Sequence, residues 1–143
     1  KEQTTFNNQF DLDVQLLGIE GTYKKRISEK MFVGFGLGGG ILMKGNFIGD
    51  GFFELVRARS FVDYAFNKNF HINLGASYCM LTLSIDSHGK TIGIPLGIYY
   101  RIWKLELGVE PTLIFFNPVG DKGYQPAFTT SLLIIKIPLS RWY

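Results

Sequence analysis

The sequence predicts an all-β chain that folds as an antiparallel, up-and-down barrel of about eight strands, in one domain spanning residues 1–143. The first observation is that apolar and polar residues alternate with a period of two between most turn signals. The second is composition: 46% of the residues are hydrophobic and 15% aromatic but only 19% charged, whereas soluble domains carry about a quarter charged residues. The third is that no apolar run reaches the roughly 18 residues of a membrane-spanning helix.

The first strand, from Asp11 to Lys24, changes parity part-way along. Asp11 and Asp13 alternate with apolar residues, but Ile19 and Tyr23 then occupy the opposite parity. Because one inserted residue moves all later side chains to the other face of a strand, we predict a β-bulge at Leu16–Gly18.

The second and third strands show the two faces most clearly. From Met31 to Met43, Val33, Phe35, Leu37 and Ile41 oppose a row of glycines at positions 34, 36, 38 and 40. From Phe53 to Phe66, the face with Arg57, Arg59 and Asp63 opposes the face with Val56, Ala58, Val62 and Tyr64.

The remaining four strands keep an aliphatic face opposite a small or polar one. They are predicted at Phe70–Met80, Ile92–Ile102, Leu105–Phe115 and Gln125–Leu139. In the last of these, Leu133, Ile135 and Ile137 oppose Thr130 and Lys136.

Short and long connections alternate along the chain. The short ones are Ile27–Lys30, Asn67–Asn69 and Trp103–Lys104, and the long ones are Gly45–Gly51, Asp86–Thr91 and Asn117–Tyr124. A meander places all short connections at one rim, which is typical of outer-membrane barrels. Only seven strands are assigned directly, whereas such barrels have an even number. An eighth strand could lie within Lys1–Phe10 or upstream of this sequence, or one connection could be misjudged.

Alternation alone does not decide which face points outward. A soluble barrel would need the glycine row and a few scattered charges as its water-facing coat, which is too poor in lysine and glutamate. We therefore predict that the apolar face contacts lipid, with aromatic girdles at both rims. The charges inside must then pair, because an unpaired buried ion costs several kcal/mol. The predicted interior ion-pair network is Asp11, Asp13, Glu20, Lys24, Arg57, Arg59, Asp63, Arg101, Glu106, Glu110 and Lys136.

Two stretches carry a family resemblance. The segments LGIEGTYKKRIS (17–28) and FVGFGLGGG (32–40) resemble the small outer-membrane β-barrel proteins common in Bacteroidetes. Trp142 and Tyr143 are similar to the aromatic ending of such barrels. The resemblance implies about eight antiparallel strands in the bacterial outer membrane and no particular activity.

Candidate catalytic and metal-binding residues are few. His88 lies in a polar loop, and His71 shares a face with Asn73 and Ser77, where an interior polar role is the simplest interpretation. Glu106 and Glu110 would be about 13 Å apart on one strand face, too far for a glycosidase pair. Cys79 is the single cysteine. We predict no catalytic residues, no cofactor and no metal.

These patterns favour a non-enzymatic barrel that is structural or an accessory subunit of a larger outer-membrane assembly. The expected partners are outer-membrane lipid and that larger assembly, but not nucleic acid, because the net charge of +3 is scattered. The apolar loop with Phe47, Ile48, Phe52 and Phe53 is the predicted partner contact. One alternative is a lipid-modifying barrel enzyme, which needs His71 to face lipid. Another is a soluble lipocalin-like barrel that holds an apolar ligand inside.

Overall fold

A computed structural model describes residues 7–15, 18–44, 47–83, 88–118, 123 and 125–142, without the side chains of 42–51 and a few others. The described residues form eight strands: β1 Asn8–Gln15, β2 Gly18–Arg26, β3 Met31–Lys44, β4 Phe47–Ala65, β5 Phe70–Leu83, β6 His88–Ile102, β7 Leu105–Pro118 and β8 Gln125–Trp142. Among these residues, no helix is long and apolar enough to cross a bilayer.

The strands form a closed antiparallel barrel, as predicted. Each strand pairs with the next, and β8 pairs with β1 to close the sheet. The connections at Ile27–Lys30, Phe66–Asn69 and Trp103–Lys104 lie at the rim where Asn8 pairs with Trp142. We call this end the proximal rim and the opposite end the distal rim.

The predicted bulge at Leu16–Gly18 is wrong. The chain reverses there, so that β1 and β2 form a hairpin in which Gln15 pairs with Gly18. A two-residue turn and a one-residue bulge change the alternation pattern of a sequence in the same way. In both cases, odd positions before the irregularity share a face with even positions after it. The hairpin supplies the eighth strand, so a misjudged connection explains the odd count.

The predicted loop at Gly45–Gly51 is also wrong. Strand β3 continues to Lys44, β4 begins at Phe47, and these two residues pair. Glycine, asparagine and aspartate dominate this segment and predict a loop, so its pairing with β3, and not local preference, accounts for the extended backbone. Likewise β6 begins at His88, inside the predicted loop Asp86–Thr91.

The β1–β2 hairpin is much shorter than the other strands. Its strands have 8 and 9 residues, whereas β3 to β8 have 14 to 19. Beyond its tip, β3 pairs directly with β8 at Met43–Thr130 and Lys44–Thr129. Strand β8 bends toward β3 at a bulge that includes Leu133, whose φ is +52°. Among the described strands, eight therefore surround the proximal half of the barrel and six the distal half.

Side chains alternate between an apolar outer wall and a polar interior. Met80 is 68% exposed on the wall, whereas Asp63 on the inner face is 1% exposed. This distribution is that of a transmembrane β-barrel. The lipocalin-like alternative is wrong, because it requires the aliphatic face to point inward.

Candidate functional site

The centre of the barrel interior holds two arginines surrounded by carboxylates. Arg59 Nη2 lies 2.8 Å from Glu20 Oε1, and Arg59 Nη1 donates to Glu110. Arg57 lies 3.5–3.6 Å from carboxylate oxygens of Glu20, Glu54 and Glu110. All five side chains are at most 3% exposed. Because β2, β4 and β7 each contribute to this central cluster, its ion pairs connect the wall across the lumen.

A second set of charges lies where the barrel closes. Asp13 of β1 and Lys136 of β8 are direct neighbours in the register. Lys136 Nζ lies 3.0 and 2.9 Å from the two carboxylate oxygens of Asp13 and 4.0 Å from Asp11. Arg59 Nη2 approaches Asp13 to 3.9 Å, which joins this seam to the central cluster.

A third set lies nearer the proximal rim. Lys24 Nζ donates to Asp63 Oδ2 at 2.9 Å. His71 lies between two carboxylates, with Nδ1 2.6 Å from Asp63 and Nε2 2.8 Å from Glu106. Arg101 approaches Glu106 to 3.6 Å. His71 therefore lies inside the barrel with both ring nitrogens engaged, which is not the lipid-facing position that the enzyme alternative needs.

The structure brings the predicted charged residues together in these three sets. Each of them has an oppositely charged partner within 4.0 Å: Asp11, Asp13, Glu20, Lys24, Arg57, Arg59, Asp63, Arg101, Glu106, Glu110 and Lys136. The predicted network does not include Glu54 and His71, which the structure adds to it. Glu54 was hidden because β4 has a register shift between Glu54 and Arg57, which breaks the alternation with Arg57. The parity that His71 shares with Asn73 predicts its interior position, as observed, but not its contacts with Asp63 and Glu106.

Glycines in the wall make room for this filling. A Cβ at Gly36 would lie 2.8 Å from Thr22 Cγ2 and 3.0 Å from Glu20 Oε2. A Cβ at Gly97 would lie 2.6 Å from the ring of Tyr99. That ring is 1% exposed, stacks on His71 at 5.1 Å between centroids and lies 4.7 Å from Lys136 Nζ. Aromatic and ionic side chains together thus fill the lumen.

The distal interior holds an apolar cluster. Phe52, Ile114 and Phe116 form a cluster, with the two phenylalanine rings 5.0 Å apart. Thr91, the register partner of Phe116, donates to Glu54 at 2.7 Å and lies 3.0 Å from Thr82. Buried hydroxyls beside the cluster therefore contact the charged interior at Glu54.

The predicted partner contact needs correction. Phe52 points inward and is 9% exposed, so its side chain cannot contact a partner outside the barrel. Phe53 points outward and is 38% exposed. Phe47 and Ile48 belong to β4 rather than to a loop, and their side chains lie outside the described residues.

The interior side chains are arranged to form ion pairs with one another. Within the described ranges, no group of three or more histidine, cysteine, aspartate or glutamate side chains could hold a metal. Cys79 is buried, and its thiol donates to the carbonyl of Leu81 at 3.1 Å. The charged groups are held by opposite charges and are therefore arranged to cross-link the wall.

Comparison with known proteins adds little to this description. No protein-family model and no curated protein matches the chain. Among solved structures, the chain is similar to the outer membrane channel DcaP of Acinetobacter baumannii, with a TM-score of 0.46 and 13% identity. The match covers 85% of this chain and 40% of the channel, so this chain spans about two fifths of that protein's length. The assignment of a closed barrel rests on the strand pairing.

Proposed function

We propose that this chain is a small barrel of the bacterial outer membrane that has no catalytic or transport role. It would serve as a structural barrel or as an accessory subunit of a larger outer-membrane assembly. The observation that carries the proposal is the filled lumen: Arg57, Arg59 and Tyr99 occupy the interior and are at most 3% exposed.

The outer wall supports the membrane location. Large apolar side chains are exposed on many strands, including Phe35, Leu74 and Val56 at 56–66%. Such a surface is stable against acyl chains but would aggregate in water. Aromatic residues collect near the proximal rim, where the Phe66 ring lies 5.0 Å from Tyr64 and 5.3 Å from Phe70. Rings at this level suit the membrane–water interface.

The width of the barrel argues against transport. Eight strands leave an interior just wide enough for side chains, and here those side chains are bound to one another. What such a barrel can offer other molecules is therefore its wall and its rims, which supports a structural or accessory role.

The location and the closed lumen can be tested on the purified chain in lipid vesicles. We expect insertion as a barrel whose mobility on gels changes on heating, and no vesicle swelling in small sugars. A sixteen-stranded porin is the positive control for swelling. A chain that stays soluble without detergent would contradict the membrane location, and swelling at the porin rate would contradict the closed lumen.

The accessory role has its own test. After isolation from outer membranes in mild detergent, we expect a larger outer-membrane protein at fixed stoichiometry. The complex should survive high salt, because apolar wall contacts are not screened as exposed charges are. Isolation of the chain alone would contradict the accessory role and leave the structural one. An altered lipid A mass spectrum on expression of the chain would favour the enzyme alternative.

A further inference from the structure

The proximal rim carries an excess of basic side chains. Its described cationic residues are Lys25, Arg26, Lys30, Lys68, Arg101 and Lys104. Glu29 is the acidic residue among the described positions of its three turns. The rim is therefore positively charged, in contrast to the interior, where carboxylates outnumber cations.

Two of these cations share a cavity. It has a volume of about 390 Å3, lies between the β6–β7 turn and the end of β8, and is lined by Arg101, Trp103, Lys104, Pro138, Leu139 and Ser140. The Arg101 side chain is 31% exposed, and its contact with Glu106 is a single one at 3.6 Å. Among the described residues, no carboxylate lies within 4.0 Å of Lys104 Nζ. The cavity thus offers positive charge that the protein itself leaves largely uncompensated.

Trp103 occupies an unusual position in this cavity. Its φ is +62°, in the left-handed region, as expected for the first residue of the two-residue hairpin turn between the paired Ile102 and Leu105. Its side chain is 80% exposed, and Lys104 Nζ lies 5.5 Å from the ring centroid. An exposed indole beside a cation suits the membrane–water interface.

We propose that this cavity, the rim pocket, binds the headgroup phosphate of an anionic phospholipid. The proposal rests on the membrane location proposed above. Ile102 and Leu139 are 52% and 54% exposed on the adjoining wall. Lys104 and Trp103 form the turn at the rim, Arg101 reaches the pocket from the lumen side, and the aliphatic side chains begin the wall next to the turn. This arrangement matches the phosphate, glycerol and acyl chains of a phospholipid and would not be needed for a free anion.

Trp103 can report on the pocket directly. The chain has two tryptophans, so Trp142→Phe leaves Trp103 as the single tryptophan, which can be excited selectively over the tyrosines. We would reconstitute this variant in phosphatidylcholine vesicles that contain brominated phosphatidylglycerol or brominated phosphatidylcholine, and measure quenching. One cation near a membrane contributes about 1 kcal/mol, so we expect phosphatidylglycerol to be preferred roughly fivefold or more.

A matched pair of variants separates the pocket from the rim as a whole. Arg101→Gln with Lys104→Gln should lower the preference to about one, whereas Lys25→Gln with Lys30→Gln removes equal charge and should change it less than twofold. An equal loss in both would overturn the proposal, because general attraction to the rim would explain it. Lys104→Gln alone is the safer variant, since Lys104 is exposed, and it should lose about half of the preference on a logarithmic scale. No effect of Lys104→Gln would also overturn the proposal.

The remaining outcomes separate the pocket from the membrane location. No quenching by either brominated lipid would mean that the chain is not inserted, so the proposed function itself would fail. Equal quenching by both lipids would mean an inserted barrel without the pocket's selectivity, so the inference alone would fail. The preference should persist in inorganic phosphate, compared with chloride at equal ionic strength. Its loss in phosphate would indicate a free-anion site and overturn the lipid assignment.

Discussion

The lumen is filled by different kinds of side chain in the proximal and distal halves of the barrel. Where eight strands surround the lumen, long charged side chains such as Arg57 and Arg59 reach across it and bind carboxylates from other strands. Where the β1–β2 hairpin has ended and β3 pairs with β8, Phe52, Ile114 and Phe116 fill the space. Because barrel diameter grows with strand number, the wider half takes long charged side chains that span the lumen and pair, and the narrower half takes apolar side chains and short hydroxyls such as that of Thr129.

This difference has an energetic consequence. Ion pairs in a dry interior depend on each other, because removing one partner leaves the others with an uncompensated charge. Deleting apolar atoms costs only the hydrophobic transfer free energy of those atoms and the free energy of the cavity that they leave. Substitutions in the proximal half should therefore lower the free energy of unfolding by more than substitutions in the distal half, and their effects should be less additive.

The largest effect is expected at the closing seam. Lys136→Met removes the cation that binds both oxygens of Asp13 and leaves Asp13 and Asp11 buried without it. We expect a loss of about 3–5 kcal/mol in the free energy of unfolding, measured by urea titration in lipid vesicles.

The double variant Lys136→Met with Asp13→Leu tests the cause. Once both partners are gone, part of the loss should be recovered, because replacing a buried pair with apolar residues is often neutral. Simple addition of the two single losses would contradict the coupling that distinguishes the proximal half.

Much of this arrangement could be predicted from the sequence, because burial on one face imposes alternation on every strand. The placement of Arg57, Arg59 and Asp63 on one face of β4 follows from parity alone. Parity fails where the register shifts. The bulge at Leu133 gives Thr129 and Ser131 the buried positions that the sequence had suggested for Thr130.

Contacts across the lumen were beyond the sequence for a different reason. The pairing of Arg59 with Glu20 and Glu110 depends on which strands face each other, and that depends on the number of strands and their stagger. Because the sequence pattern does not reveal the hairpin at Gln15–Gly18, it gives neither the correct strand count nor the stagger. The charged residues could therefore be predicted only as one interior network and not as individual pairs. The sequence predicts a loop for the segment that contains Phe52, and a loop has no alternation from which the direction of a side chain could be predicted.

A medium effect is expected in the distal half. Ile114 is fully buried against Phe52 and Phe116. Ile114→Ala should cost about 2–3 kcal/mol and Ile114→Val about 1 kcal/mol, since the loss scales with the methyl groups deleted. In the same urea titration, Ile114→Ala should add to Lys136→Met within about 0.5 kcal/mol, because the two sites share no partner. A large departure from additivity would mean that the halves are energetically one unit.

The smallest effect is expected at the junction of the halves, where β8 bends. Leu133 faces the wall at 62% exposure with φ of +52°, whereas Leu74 of β5 is 56% exposed and is not among the positive-φ residues. Leu→Gly removes a similar lipid-facing side chain at both sites and carries the same entropic cost of glycine. Only at Leu133 does it also relieve the left-handed strain of roughly 1–2 kcal/mol. Leu133→Gly should therefore destabilise the barrel by about 1–2 kcal/mol less than Leu74→Gly in the same titration. Equal losses would mean that the backbone at Leu133 is held without strain.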